Sequence, residues 1–92
     1  MATENYVTLN WANSKIVEIK NLTAPYTHYL SAQPTTGQIE TVKDVSGNCG
    51  TYNITVNGNP DMIDSLTANT YVMSVNYEAV RFYWNGNNWG II

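Results

Sequence analysis

Apolar and polar residues alternate with a period of two along most of this 92-residue chain. In the segment NYVTLNW, Val7, Leu9 and Trp11 fall on one side, and Tyr6 and Thr8 fall on the other. The same alternation recurs in KIVEIK, QIETVKDV, TYNITVN, TYVMSV and AVRFYW. It indicates β-strands with one buried face, and no longer stretch carries the stripe of an amphipathic helix. The pattern therefore predicts an all-β protein.

Turn-forming residues separate the predicted strands. Pro25 and Pro34 border one short predicted strand, Tyr26 to Leu30, and prolines at its borders suit the edge of a sheet. The segment Asn57 to Met62 combines Asn-Gly and Asn-Pro, so the chain must turn sharply there. Residues 61–69 fit either one helical turn or a short strand. The spacing leaves room for about seven to nine short strands, which favours a compact antiparallel β-sandwich or barrel-like domain.

The last nine residues, WNGNNWGII, predict a closing hairpin. Asn85-Gly86 readily takes the positive φ angles of a tight turn, so the chain can return beside the strand that precedes it. We therefore expect the C-terminus to be tied into the sheet. The predicted core and hairpin residues are Phe82, Trp84, Trp89 and Ile91.

The length of the chain allows one domain, residues 1–92, and a domain of this size buries only about 60 to 65% of its unfolded surface. Cys49 is the only cysteine, so no disulfide can form within the chain. A structural zinc site is not expected, because one cysteine and one histidine cannot supply four ligands. Association with other chains is the remaining source of stability.

The polar surface is carried by uncharged side chains. The formal charge is −3 and the chain has four basic residues, which is too few for a phosphate-binding surface, so nucleic acid is not expected as a partner. No apolar run approaches the length of a membrane span, and the N-terminus lacks a signal-peptide pattern. We therefore expect a soluble protein made in a cytoplasm. The 13 asparagines and 11 threonines suit strands joined by tight turns.

Titratable residues form no recognisable catalytic motif. Asp61 and Asp64 are the only acids close together, and a solvated turn explains them better than a metal site or a carboxylate dyad. His28 is expected at a surface or an interface. Cys49 has no neighbouring cation to activate it, so we interpret it as a small structural residue. These features predict no enzyme activity, no metal and no cofactor.

Aromatic residues are the remaining candidates for function. One interpretation is packing in the core or at a subunit interface; the other is an exposed patch that holds a carbohydrate or another protein. The candidates for interface or ligand contact are Trp11, Tyr26, Tyr29 and Tyr83.

Residues 34–92 resemble a module found at the C-termini of tailed-bacteriophage virion proteins, including tail fibres, spikes and small head-associated proteins. The elements that carry the resemblance are PTTGQ, TVKDVSGN, NITVNGN, the Met62-Ile63-Asp64 step, TYVMSVNYEAVRFYW and WNGNNWGII, in this order. The chain departs from the family in two places. Small residues and Gly-Ser are frequent where this chain has Tyr77-Glu78-Ala79, and Cys49 replaces what is usually Ala or Ser. Residues 1–33 then form N-terminal strands and a loop before the module.

The resemblance implies a β-structured virion protein without catalytic residues, and such modules often form homotrimers. Because only a short segment precedes the module, we expect a capsid decoration or cement protein that docks on the major capsid protein or another virion protein and stabilises the head. The alternative is a tail-fibre or spike tip that recognises a host glycan. In both cases the expected location is the virion, assembled in the host cytoplasm.

Overall fold

The residues that the structure describes form eight strands in two sheets. The computed structural model describes the backbone of residues 6–11, 14–64 and 68–92, and the side chains of 14–64 and 68–92. The strands are β1 (Tyr6–Trp11), β2 (Ser14–Ile19), β3 (Tyr26–Tyr29), β4 (Ile39–Asp44), β5 (Ile54–Asn57), β6 (Thr70–Met73), β7 (Ala79–Trp84) and β8 (Trp89–Ile91). The predicted all-β class is confirmed, and the described part of the chain contains no helix.

The strands are arranged as a five-stranded sheet in the order β1-β2-β4-β7-β8 and a three-stranded sheet in the order β3-β5-β6. The opening pair β1-β2 and the closing pair β7-β8 are antiparallel hairpins, as the sequence predicts. The short strand between the prolines is an edge strand, β3, which confirms that prediction too.

The expectation of purely antiparallel sheets is wrong. Strand β2 runs parallel to β4, and β3 runs parallel to β5. Both sheets are therefore mixed. The reason lies in the connections: after β2 the chain adds β3 to the other sheet and then returns to add β4, so neighbouring strands in one sheet are separated by a crossing of the core. Alternation with a period of two reports which face is buried and carries no information on strand direction.

The two sheets face each other across one hydrophobic core. The buried side chains come from both sheets and from the loops, and include Val17, Ile19, Val42, Phe82 and Trp89 from the large sheet and Ile54, Val56 and Met73 from the small one. The rings of Tyr71 and Phe82 meet edge to face across the core, with centroids 6.3 Å apart. The Cα radius of gyration of 12.6 Å is that of a compact domain of this length.

The C-terminal hairpin contributes side chains to this core. Trp89 is fully buried, its indole Nε1–H donates to the Gly58 carbonyl at 3.1 Å, and its ring meets that of Trp84 with centroids 5.4 Å apart. The turn spans residues 85–88, since Trp84 pairs with Trp89, and Gly86 takes a φ of 97° there. Phe82 is also fully buried, whereas Trp84 and Ile91 are half buried against the same core.

Two segments differ from their sequence interpretation. Residues 61–64 form neither a helical turn nor a full strand; Ile63 makes a single parallel bridge with Trp89 and so covers the outer edge of β8. Strand β6 ends at Met73, and Val75, expected on its buried face, is 66% exposed in the turn that follows.

Candidate functional site

The outer face of the five-stranded sheet, called the large-sheet face, carries its apolar residues in two neighbouring rows. In the first row Ser14 lies beside Ile39 and Ile39 beside Tyr83. In the second row Ile16 lies beside Thr41 and Thr41 beside Arg81. The described side chains of this face are Ser14, Ile16, Glu18, Ile39, Thr41, Lys43, Ala79, Arg81, Tyr83 and Ile92.

Two contacts bring the C-terminus into the large-sheet face. The Ile92 N–H donates to the Arg81 carbonyl at 2.9 Å, which places the 56% exposed Ile92 at the end of the second row. In the first row the ring of Tyr83 lies against Gly90, where a Cβ would come within 2.4 Å of Tyr83 Cε1. A glycine at position 90 is therefore what allows the ring to lie flat on the sheet.

Strand β1 continues both rows at the edge of the sheet. Trp11 pairs with Ser14, Leu9 pairs with Ile16, and Val7 pairs with Glu18. The side chains of β1 lie outside the described residues. The register alone therefore extends the rows of the large-sheet face to the position of Trp11.

The outer face of the three-stranded sheet, called the small-sheet face, is different in composition. Its residues are Thr27, Tyr29, Thr55, Asn57, Thr70 and Val72. Four of these six are threonine or asparagine, and the apolar exceptions, Tyr29 and Val72, are 59% and 48% exposed. This face resembles ordinary solvated protein surface.

The aromatic candidates do not converge on one groove among the described residues. Tyr26 is half buried and packs against the core, on the inner side of β3. Tyr29 projects from the small-sheet face and Tyr83 from the large-sheet face, on opposite sides of the molecule. Trp11 shares a row of the register with Tyr83, but its side chain lies outside the described residues.

Asp44 organises one end of the molecule. Its Oδ1 accepts hydrogen bonds from the Ser46 hydroxyl at 2.6 Å and the Gly47 N–H at 3.1 Å. Its Oδ2 accepts from the N–H groups of Cys49 at 3.1 Å and Tyr77 at 3.0 Å. Burial alone would raise the pKa of Asp44, but these hydrogen bonds outweigh it and hold the pKa at about 2. The carboxylate joins the loop after β4 to the turn before β7.

The loops around Asp44 are held closely. Cys49 is buried, and its Sγ–H donates to the Val75 carbonyl at 2.9 Å. Burial and the neighbouring Asp44 raise the pKa of the Cys49 thiol to about 11, so it stays protonated at neutral pH. Tyr77 takes a φ of 67°, and its ring lies on Gly47, which leaves no room for a Cβ there. These contacts support a structural role for Cys49.

Glu40 occupies the opposite end of the core and is also fully buried. Its Oε2 accepts hydrogen bonds from Gln38 Nε2 at 2.6 Å and the Ser31 N–H at 3.3 Å. The Lys15 ammonium lies 3.7 Å from Glu40 Oε1 and donates to the Ser31 hydroxyl at 3.1 Å. One carboxylate thus joins β4 to the loop that follows β3.

His28 lies beside this cluster, and its expected position at a surface is wrong. The side chain is only 9% exposed, on the inner face of β3. Burial lowers the pKa of His28, the charge of Glu40 raises it, and the charge of Lys15 lowers it, with a net decrease. The imidazole is therefore predominantly neutral at pH 7.

Sequence reasoning missed both buried carboxylates, although a signal was present. Glu40, Val42 and Asp44 alternate with half-buried neighbours along β4, so all three belong to the inner face. Glu40 and Asp44 were not singled out, because only Asp61 and Asp64 lie close enough along the chain to suggest a shared site. An acid that occupies an apolar position of a period-two pattern is the sign that was available.

The described residues contain neither a cluster of metal-ligating side chains nor a helix that could span a membrane. Within residues 14–64 and 68–92, no group of three or more histidine, cysteine, aspartate or glutamate side chains could hold a metal ion. Asp64, one of the two acids considered for a site, accepts a hydrogen bond from the Ile91 N–H at 2.9 Å. No helix in this part of the chain is long and apolar enough to cross a membrane.

Comparison of the chain with protein-family models and with curated protein sequences finds no match to either.

Proposed function

We propose that this chain is a structural protein of a bacteriophage virion, and specifically a capsid decoration protein that binds the head surface and stabilises it. The observation that carries the proposal is the large-sheet face, where half of the ten described side chains are apolar and the half-buried Ile16, Ile39 and Tyr83 lie on adjacent strands. The resemblance of residues 34–92 to virion modules supports the phage assignment. The proposal involves no catalytic step and no cofactor.

The large-sheet face has the composition of a protein interface. Ile16, Ile39 and Tyr83 lie near one another on adjacent strands, and burial of apolar surface stabilises an association by about 25 cal/mol per Å2. Arg81 lies beside Thr41 within the second row, and Glu18 and Lys43 are neighbours in the register beyond it. An apolar centre beside charged residues is typical of interfaces that are both stable and specific.

The proposal includes self-association as a homotrimer, with the large-sheet face covered either by a neighbouring copy or by the capsid. A domain of this size gains relatively little stability from its own core, so covering an apolar sheet adds to it. Light scattering on the purified chain tests this part. A trimer is expected, and a monomer at all concentrations together with no binding to heads would overturn both parts.

A matched pair of substitutions tests which face is used. Ile39→Lys places a charge in the large-sheet face, and Val72→Lys places the same charge in the small-sheet face, also on a strand. We expect Ile39→Lys to abolish binding to phage heads assembled without the protein, since an unpaired buried charge is costly. Val72→Lys should bind as the parent chain does. Equal loss in both variants, with both still folded, would contradict the assignment of the face.

The second candidate is a tail-fibre or spike tip that recognises a host glycan. The 59% exposed ring of Tyr29 favours it, because exposed aromatic rings stack on sugars. A cryo-electron map of the virion that locates the chain separates the two candidates. Density on the head shell supports decoration, and density at the tip of a tail appendage supports recognition.

A further inference from the structure

A groove of about 530 Å3 lies between the loop that follows β5 and the turn that joins β7 to β8. Pro60, Asp61 and Met62 form one wall, and Asn87 and Asn88 form the other. The groove is distinct from both sheet faces. Its volume falls within the range of small-molecule sites in proteins, but the groove is wide open to solvent and its lining is mainly polar.

Hydrogen bonds fix both walls. The Oδ1 atom of Asn85 accepts from the N–H groups of Asn87 at 2.8 Å and Asn88 at 2.9 Å, and its Nδ2 donates to Asn88 Oδ1 at 2.9 Å. The Trp89 N–H donates to the Met62 carbonyl at 3.0 Å, which ties the first wall to the hairpin. A ligand that enters a groove with ordered walls causes little further loss of conformational entropy.

The walls combine polar groups with apolar surface. Asp61 offers a carboxylate that accepts hydrogen bonds, and Asn87 offers an amide that both donates and accepts. Met62 is 42% exposed, and Pro60 is exposed next to it. A pyranose ring has the complementary arrangement, with hydroxyl groups around its rim and C–H groups on its faces.

The charge of the groove selects among sugars. Asp61 is the one charged residue among its lining side chains, and no lysine or arginine takes part. A carboxylated or phosphorylated sugar would be repelled by Asp61, whereas a neutral sugar would not.

We propose that this groove binds a neutral pyranoside, whose hydroxyl groups hydrogen bond to Asp61 and Asn87 while one ring face lies against Met62. The inference does not depend on whether the chain sits on the head or the tail. A single site of this kind binds weakly, and display of many copies on one particle would raise the overall affinity.

Titration of the 15N-labelled chain with maltotetraose, cellotetraose and chitotetraose, followed by NMR, tests the proposal. At least one sugar is expected to cause saturable shifts confined to the amides of residues 58–62 and 85–89. Asp61→Ala and Asn87→Ala should each weaken binding by about tenfold, because each removes a hydrogen-bonding group. Asn53→Ala, which changes an exposed asparagine outside the groove, should bind as the parent chain does.

Several results would overturn the proposal. One is the absence of saturable shifts up to the solubility limit of all three sugars. Another is binding of an anionic oligosaccharide such as tetragalacturonate with no binding of the neutral ones. Shifts centred on Tyr29, or unchanged affinity in Asp61→Ala and Asn87→Ala with both variants folded, would place the site elsewhere.

Discussion

Asp44 and Glu40 lie on the same face of β4 at opposite ends of the core, and they are held in contrasting ways. Three of the four hydrogen bonds to Asp44 come from backbone N–H groups. Glu40 is contacted mainly by the side chains of Lys15 and Gln38. Backbone donors are positioned by the fold itself, whereas ordering a long side chain costs rotamer entropy. The Asp44 end therefore depends strongly on its carboxylate, and the Glu40 end has partners that are more easily replaced.

The surroundings of the two carboxylates agree with this difference. At the Asp44 end, Tyr77 holds a backbone conformation that bulky residues rarely adopt, and its N–H is bound by Asp44. Glu78 adds a second anchor there, since its Oε1 accepts from the N–H groups of Ser74 at 3.1 Å and Val75 at 3.2 Å. At the Glu40 end, the Trp84 N–H of the closing hairpin donates to the Gln38 carbonyl at 2.8 Å, and Trp84 pairs with the buried Trp89. We therefore expect removal of a carboxylate to lower the stability of the Asp44 end most. At the opposite end, we expect the largest loss of stability when apolar contacts are removed.

Trp89→Ala should have the largest effect. The ring is fully buried and its loss creates a cavity, so we expect the free energy of unfolding to fall by about 3 to 5 kcal/mol, measured by urea denaturation. Deletion of residues 89–92 should be at least as severe. Trp84→Ala, at a half-buried ring, should lower the free energy of unfolding by less than Trp89→Ala does.

The control at the other end of the molecule is Val75→Ala. Val75 is 66% exposed, so its substitution should change the free energy of unfolding by less than about 0.5 kcal/mol. Equal losses in Trp89→Ala and Val75→Ala would show that the hairpin does not seal the core.

Asp44→Asn should have the next largest effect. Either orientation of the new amide turns its NH2 group toward at least one of the backbone N–H groups that now donate to Asp44. We expect a loss of about 1 to 3 kcal/mol in the free energy of unfolding. Asp64→Asn is the matched control, because its single backbone bond from Ile91 can still be accepted by an amide oxygen. If Asp64→Asn lowered the free energy of unfolding as much as Asp44→Asn does, the result would contradict the structural role assigned to Asp44.

The strands of this fold follow closely from its sequence. Alternation located β1, β2, β4, β5 and β7, and the prolines around β3 identified an edge strand. The Asn85-Gly86 dipeptide located the closing turn. These signals are local, since each depends on residues within a single strand or turn. They could be read without knowing which strands become neighbours.

Long-range features could not be predicted in the same way. The parallel pairings of β2 with β4 and β3 with β5 depend on which sheet each strand joins, and alternation does not encode that choice. The burial of Glu40 and Asp44 depends on partners that are distant in sequence, such as Lys15 and Tyr77.

Glu40→Gln should have a smaller effect than Asp44→Asn. Glutamine keeps an oxygen that accepts from Gln38 or from the Ser31 N–H, and the side chain of Lys15 is 27% exposed and remains partly solvated. We expect a loss of about 1 kcal/mol in the free energy of unfolding, because the amide keeps an acceptor for these hydrogen bonds and loses only the charge beside the partly solvated Lys15. A double-mutant cycle with Lys15→Met measures the pair directly. A coupling energy larger than the full effect of Asp44→Asn would reverse the ranking of the two carboxylates.

The smallest expected effect is a difference in acid sensitivity between the two ends. The pKa of His28 is lowered from 6.5, so the unfolded chain takes up a proton before the folded chain does, and stability falls as the pH drops below 6.5. The pKa of Asp44 is lowered from 3.8 to about 2, so its contribution to stability is complete above pH 3.8 and is lost only as the pH falls toward 2.

Thermal melts of the parent chain and of His28→Gln between pH 7 and pH 5 isolate the contribution of His28. The slope of melting temperature against pH should be smaller in His28→Gln, and Asp44→Asn should keep the parent slope in this range. An unchanged slope in His28→Gln would show that the buried imidazole does not resist protonation, and a reduced slope in Asp44→Asn would show that the two ends are not independent.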